Sequence, residues 1–267
     1  MKKRKNKRTP RGDGFLTGVL LLSLSTALVK IIGLGVKIPL ISTLGAVGMG
    51  YFNSAYEIYA LLCVISCAGL PTALSMMISA RREQGDTRGA ERAFRTANAC
   101  FLLLGAVGSV AMLGLSEKIA SAIGNENAKY SIMAIAPSLL FICLSSGVRG
   151  YFQGHGDMLP TAVSQLIEAV CKLVLGVGLG VTVLSLGATA AQGAAASIFG
   201  ITLGIILSCI YLFAMKKHCA DTKDIRPIGN TEKLHDLKIL LKIAIPITLG
   251  SVFMSACRVV DMALILR

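Results

Sequence analysis

Glu168 and Lys172 stand in the middle of "PTAVSQLIEAVCKLVLGVGLGV" (Pro160–Val181), a run long and apolar enough to cross a bilayer. A charge at the centre of a membrane helix costs about 2.5–3.5 kcal/mol on insertion scales. The Leu, Ile and Val residues of this run together return at most about 6 kcal/mol, so two charges facing lipid would cancel its drive to insert. The pair must therefore face protein or water. At i,i+4 the two residues share a helix face and can neutralise each other. Two roles fit them: a structural ion pair between helices, or groups on a polar passage, with Glu168 at a cavity or gate.

Five more charges lie inside apolar runs: Lys30 and Lys37, seven residues apart on one helix face, then Glu57, and then Arg258 and Asp261 at i,i+3. At 1.5 Å per residue Lys30 lies about 22 Å, and Arg258 about 24 Å, from the starts of their runs. Neither has an opposite charge on its own face deeper in the membrane. Together they suggest a cationic chamber, which suits a diphosphate better than a cationic solute. Lys37 either joins that chamber or snorkels to the surface. Asp261 either holds a coupling cation, Na+ or H+, or orients Arg258.

Other chemistries find little support. The eight cysteines are scattered and lack the partners of a metal site or a disulfide framework, so they read as small buried thiols. No phosphate-binding G-x-x-x-x-G-K-[ST] occurs, and no metal or cofactor is expected. The three histidines, His155, His218 and His235, fall on the basic side of the membrane, away from the short outer loops where a membrane enzyme would need paired carboxylates or His. The net charge of +13 is split into short clusters between apolar runs, which argues against a nucleic-acid surface.

The elements that must carry these residues are membrane helices. Residues are 54% hydrophobic and only 15% charged, with a mean hydropathy of +0.70. Seven stretches reach spanning length: about 15–39, 53–80, 96–115, 130–149, 160–184, 191–215 and 241–266. Unbroken runs of this length predict an all-α polytopic bundle rather than a barrel. The basic start resembles a signal peptide, but no cleavage site closes it and more spans follow, so it reads as a retained first span. Lys and Arg gather in the tail, between spans two and three (Arg81–Arg95), at Arg149, and between Lys216 and Lys242. The opposite loops hold only Lys118 and Lys129, which places the N-terminus in the cytoplasm.

The expected organisation is a basic tail (1–13), a six-helix lobe (14–215), a cytoplasmic linker (216–240), and a seventh helix (241–267) that opens a second, missing lobe. Pro39, Pro71 and Pro246, with the glycines from Gly176 to Gly180, are the expected bends and close-packing points.

Two stretches also resemble a known family. Lys30–Ser79, with the IPL of the first span, "GMGYFNSAYEIY" and the A-G-L-P of the second, is similar to the stage V sporulation protein B-like branch of the MOP flippase superfamily. Arg149–Gly176, with R-G-Y-F-Q-G followed by P-T-A-x-S-Q-x-x-E, is similar to its fourth-to-fifth turn and fifth span. The resemblance runs from about residue 14 to the end and implies a multi-pass protein of the bacterial plasma membrane, related to lipid II flippases. Such transporters pass a lipid-diphosphate-linked glycan between two pseudo-symmetric bundles by alternating access, for cell-wall, spore-cortex or surface polysaccharide. It adds Gln165 to the site, since Gln165 and Glu168 fill the S-Q-x-x-E. The alternatives are a cation-coupled multidrug exporter of the same superfamily and a non-transporting membrane assembly protein.

Overall fold

The computed structural model describes residues 11–67, 69–219 and 230–265, and every regular element among them is helical. The first, α1 (Arg11–Cys67), runs for 57 residues with one break in its dihedrals, at Gly45 (φ 63°, ψ −177°). That combination is open essentially to glycine alone. At 1.5 Å per residue the arm beyond Gly45 is about 33 Å long, enough to cross a hydrocarbon core by itself. The chain changes direction at Gly45, inside a helix, where the sequence predicted a connection between two spans.

The break in α1 thus falls at Gly45 and not at Pro39, one of the expected bends. Pro39 lies six residues before the break, and the hydroxyls of Ser42 and Thr43 donate to its carbonyl. Pro71 falls in the first turn of α2 (Leu70–Glu83), where a missing N–H leaves nothing unpaired, so it starts a helix rather than bending one. Pro246 sits inside α9 (Asn230–Ile265), which remains helical through it.

Between these lie α3 (Thr87–Gly114), the short α4 (Ser116–Ala122), α5 (Lys129–Gly154), α6 (Leu159–Cys171), α7 (Val177–Ser185) and α8 (Ala190–Cys219). Only Gln84, Gly85 and Asp86 join α2 to α3. Gly85 (φ 77°) closes α2 with paired backbone bonds, from its own N–H to Arg82 and from the Asp86 N–H to Arg81. Asp86 then caps α3, its Oδ1 accepting the Gly89 N–H at 2.8 Å. The arginines read as loop charges, Arg81 to Arg95, thus ride on helices. So does part of the expected 216–240 linker: α8 continues to Cys219 and α9 begins at Asn230.

The helix α5 is the centre of the bundle, packed against α1, α2, α3 and α8. Phe101, Ile132, Leu139, Ile198 and Ile205 fill the core around it and are fully buried. Apolar side chains such as Leu24, Leu28 and Leu34 on α1, and Leu103, Val107 and Val110 on α3, point outward. Outward-facing leucine on helices this long is what a lipid-immersed bundle requires. Thr17–Glu83, Thr87–Gly114, Glu126–Gly154, Leu159–Ser185 and Ala190–His218 are long and apolar enough to cross a membrane.

Candidate functional site

The polar centre of the bundle is built by α5, α6 and α8. Arg149, near the C-terminal end of α5, reaches across to both neighbours. Its Nε donates to Ser164 Oγ at 3.0 Å on α6, and its Nη2 to Ser208 Oγ at 3.3 Å on α8. The same Nη2 donates to Glu168 Oε2 at 3.1 Å. The serines are held as acceptors because their own protons are spent on backbone: Ser164 donates to the Thr161 carbonyl at 2.7 Å, and Ser208 to the Ser164 carbonyl at 2.9 Å. Without that, a buried hydroxyl is free to turn its proton toward the guanidinium.

Glu168 uses its other oxygen for Lys172, with Oε1 2.8 Å from Nζ. Both carboxylate oxygens are thus taken by cations, one on α5 and one a turn further on, just past the end of α6. The sequence anticipated the Glu168–Lys172 pair from its spacing. It misplaced Arg149, which was expected among the charges of the fourth-to-fifth turn and is instead a nearly buried member of the cluster. Nothing in a single sequence links residues 149 and 168; only the packing of α5 on α6 and α8 does.

Lys172 opens a π-helical turn, Lys172–Gly176, between α6 and α7. The extra residue per turn rotates α7 relative to α6 and loosens the local ladder, a feature frequent at functional sites. This turn is braced from behind by α8, whose backbone comes unusually close. A Cβ at Gly200 would drive into the Leu175 carbonyl, and one at Gly204 would lie 2.8 Å from Cys171 Cβ. Small residues at this spacing let membrane helices touch backbone to backbone. On the other side α1 packs against α6 and the π-turn, and Tyr56 lies within electrostatic range of the Lys172 ammonium.

The remaining predicted residues are more dispersed. Lys30 and Lys37 are exposed on α1, on the same face as the exposed Leu34 and Ile41, and form no hydrogen bond or ion pair among the described residues. Glu57 is half-buried and also without an ion-pair partner there. Gln165 is half-buried on α6, its amide oxygen enclosed without a hydrogen-bond partner. The side chains of Arg258 and Asp261 lie outside the described residues. No group of His, Cys, Asp and Glu suited to a metal occurs among the described residues.

Residues 15–267 match the family model described as polysaccharide biosynthesis protein. The chain belongs to that family. The lipid II flippase MurJ of Bacillus subtilis is 29% identical over 168 residues, covering 60% of this chain and 31% of that protein. Stage V sporulation protein B of Bacillus subtilis is 26% identical over 205 residues, covering 76% and 39%. The chain spans less than half the length of these relatives. Among solved structures, a MATE transporter in complex with Br-NRF superposes with a TM-score of 0.75 at 18% identity, over 92% of this chain and 56% of that one. A MOP superfamily transporter from Pyrococcus furiosus gives 0.73 at 16%, over 96% and 57%. At such identities the likeness establishes the fold. This family member is an all-α, multi-pass membrane protein of the MOP flippase superfamily.

The family landmarks seen in the sequence turn out to be packing devices around the polar centre. In R-G-Y-F-Q-G, Arg149 makes the cluster, while Gly150 and Gly154 let α2 approach. A Cβ on Gly150 would meet the Pro71 carbonyl at 2.7 Å, and one on Gly154 would meet Ile78 Cβ at the same distance. Tyr151 stands edge-on to Phe94 with ring centroids 5.0 Å apart. In P-T-A-x-S-Q-x-x-E, Ser164 and Glu168 are the partners of Arg149.

A second charged network, which the sequence did not reveal, closes the basic end of this family member's bundle. Asp236 on α9 is 1% exposed and pairs with Arg81 of α2 and, at 3.1 Å, with Arg92 of α3. Beside it Lys216 of α8 lies 3.0 Å from Glu91 and 3.7 Å from the centre of the Phe94 ring. His155, in the turn after α5, has its Nδ1 2.9 Å from the Tyr151 carbonyl. Burial pushes its imidazole below the usual histidine range, with nearby Arg82 adding to the shift and the Tyr151 bond opposing it.

Proposed function

We propose that the chain forms the first lobe of a flippase of the bacterial plasma membrane that carries a lipid-linked oligosaccharide or polysaccharide precursor across by alternating access. A second lobe of the same protein completes the cavity. Lys30, Lys37 and Arg258 recognise the diphosphate of the substrate. The observation that carries this reading is the exposed Lys30–Lys37 face of α1, two cations within the apolar Thr17–Glu83 candidate span and uncovered by any described residue. Ammonium groups at that depth are stable only against water or anions. The name of the lipid II flippase relative points the same way.

Energy comes from an ion gradient, with Asp261 the candidate for Na+ or H+. Glu168 is a poor candidate, since Arg149 and Lys172 occupy both its oxygens.

The test is flipping of a fluorescent polyprenyl-diphosphate sugar by full-length protein in liposomes. Lys30→Ala with Arg258→Ala should abolish flipping while membrane insertion and thermal unfolding stay unchanged. Undiminished flipping by that double variant would remove the cationic cavity. Efflux of cationic dyes, lost on neutralising acidic rather than basic residues, would favour the multidrug-exporter reading.

A further inference from the structure

Around Glu168 the charges do not balance. Arg149 and Lys172 bring two positive charges to one carboxylate, and the other donors of Arg149 go to the neutral hydroxyls of Ser164 and Ser208. An excess positive charge inside a membrane bundle is costly to hold, and low dielectric strengthens its attraction for any anion that reaches it. Lys172 is the member an anion can reach: its side chain is 24% exposed, against 13% for Arg149 and for Glu168. An ammonium has three donors, and Glu168 Oε1 accepts one of them.

An independent observation falls on the same face of α6. Thr161, Gln165, Glu168 and Lys172 succeed one another at helical spacing, and the first two are incomplete. The Thr161 hydroxyl oxygen and the Gln165 amide oxygen are both buried without a hydrogen-bond partner. Buried polar groups are normally paired, and exceptions in a native structure call for a missing partner. An amide held by nothing can turn its two N–H donors toward an incoming acceptor.

We propose that Lys172 and Gln165 form an anion subsite for a phosphate group, and that Arg149 is the positioning residue that makes it work. By taking Glu168 Oε2, Arg149 leaves the carboxylate too little charge to neutralise Lys172. The arrangement therefore keeps a net positive charge beside the π-turn, at the partly exposed Lys172. That the phosphate belongs to a lipid diphosphate rests on the function proposed above; the subsite itself requires only a phosphoryl oxygen, from a lipid diphosphate, a phospholipid headgroup or a soluble diphosphate.

The test is a ladder of charge variants of the chain in phosphatidylcholine nanodiscs, with binding of a short polyprenyl diphosphate read by thermophoresis. Lys172→Gln and Arg149→Gln should each weaken binding about tenfold or more, although Arg149→Gln leaves Lys172 untouched. The double variant Arg149→Gln/Glu168→Gln restores the net positive charge and should return affinity to within about threefold of the parent. It has fewer bonds between helices than Arg149→Gln, so a purely structural role for Arg149 predicts the opposite. Parent-like binding by Arg149→Gln or by Lys172→Gln overturns the proposal, as does a double variant no better than Arg149→Gln. Inorganic pyrophosphate and phosphatidylglycerol nanodiscs are the parallel arms. A ladder seen with either supports the subsite and identifies that source, and no binding of any of the three probes overturns it. If the ladder holds while full-length protein does not flip the labelled lipid, the subsite stands and the transport reading falls. Flipping with Lys172→Gln at parental affinity does the reverse.

Discussion

Replacing Asp236 with alanine strips the carboxylate from the node that ties α9 to α2 and α3. In the intact protein this carboxylate is 1% exposed and faces Arg81 and Arg92, whose side chains are 15% and 28% exposed. Arg81 also donates to the Gly89 carbonyl, so it cannot swing away without losing a second bond. Removing one partner of a buried ion pair leaves uncompensated charge and costs about 3–5 kcal/mol. Because both guanidinium groups retain some contact with solvent, the lower end applies, about 3 kcal/mol. That is roughly a 150-fold shift in the docking equilibrium of α9. Hydrogen exchange of the amides from Leu237 to Thr248 reads it directly, since protection there tracks local opening. Asp236→Ala should accelerate exchange on the order of a hundredfold in this segment and leave the core of α5 unchanged. Replacing all three residues, Arg81→Met, Arg92→Met and Asp236→Leu, should restore most of the protection, because an apolar triad of similar volume is about as stable as a buried ionic one. Exchange unaltered in Asp236→Ala, or as fast in the triple variant, would refute this account of how α9 is held.

The same geometry has further consequences. His155 has a depressed folded-state pKa, so its stability contribution is complete above the ordinary histidine value of about 6.5 and is lost as pH falls through the folded value. Thermal unfolding in detergent at pH 7.5 and pH 5 should show a loss of stability that His155→Gln reduces. Gly200→Leu would force a side chain into the Leu175 carbonyl; overpacking of this kind costs about 1–3 kcal/mol and should lower the unfolding midpoint. A milder effect from Gly200→Leu than from the same change at the open Gly178 would contradict the close approach of α8.

The bundle was legible in the sequence because hydropathy over twenty residues needs no tertiary knowledge, and unbroken apolar runs of that length leave lipid-spanning backbone no alternative to the helix. The Glu168–Lys172 pair was legible for a similar reason, since i,i+4 spacing is a local fact. Arg149 was not. Its position beside glycine and aromatic residues at the end of a span looks the same whether it faces water or a carboxylate on the next helix. Asp236 was hidden in a link of mixed sign, where one acidic residue among several carries no mark of its burial. The break in α1 falls between two of the expected spans, at Gly45 and not at the expected bend, Pro39. Pro39 preserves helical φ, whereas Gly45 adopts a positive φ that only its missing Cβ makes cheap.

The uneven charge around Glu168 gives the membrane potential something to act on. A unit charge crossing the whole field does work of about 2.3 kcal/mol per 100 mV. A rocking motion that carries Arg149, Glu168 and Lys172 through a tenth of that field would shift its own equilibrium by about 0.2 kcal/mol at 100 mV. An inside-negative voltage would therefore favour whichever state holds this cluster nearer the negative side, which would make the proposed lobe a weak voltmeter.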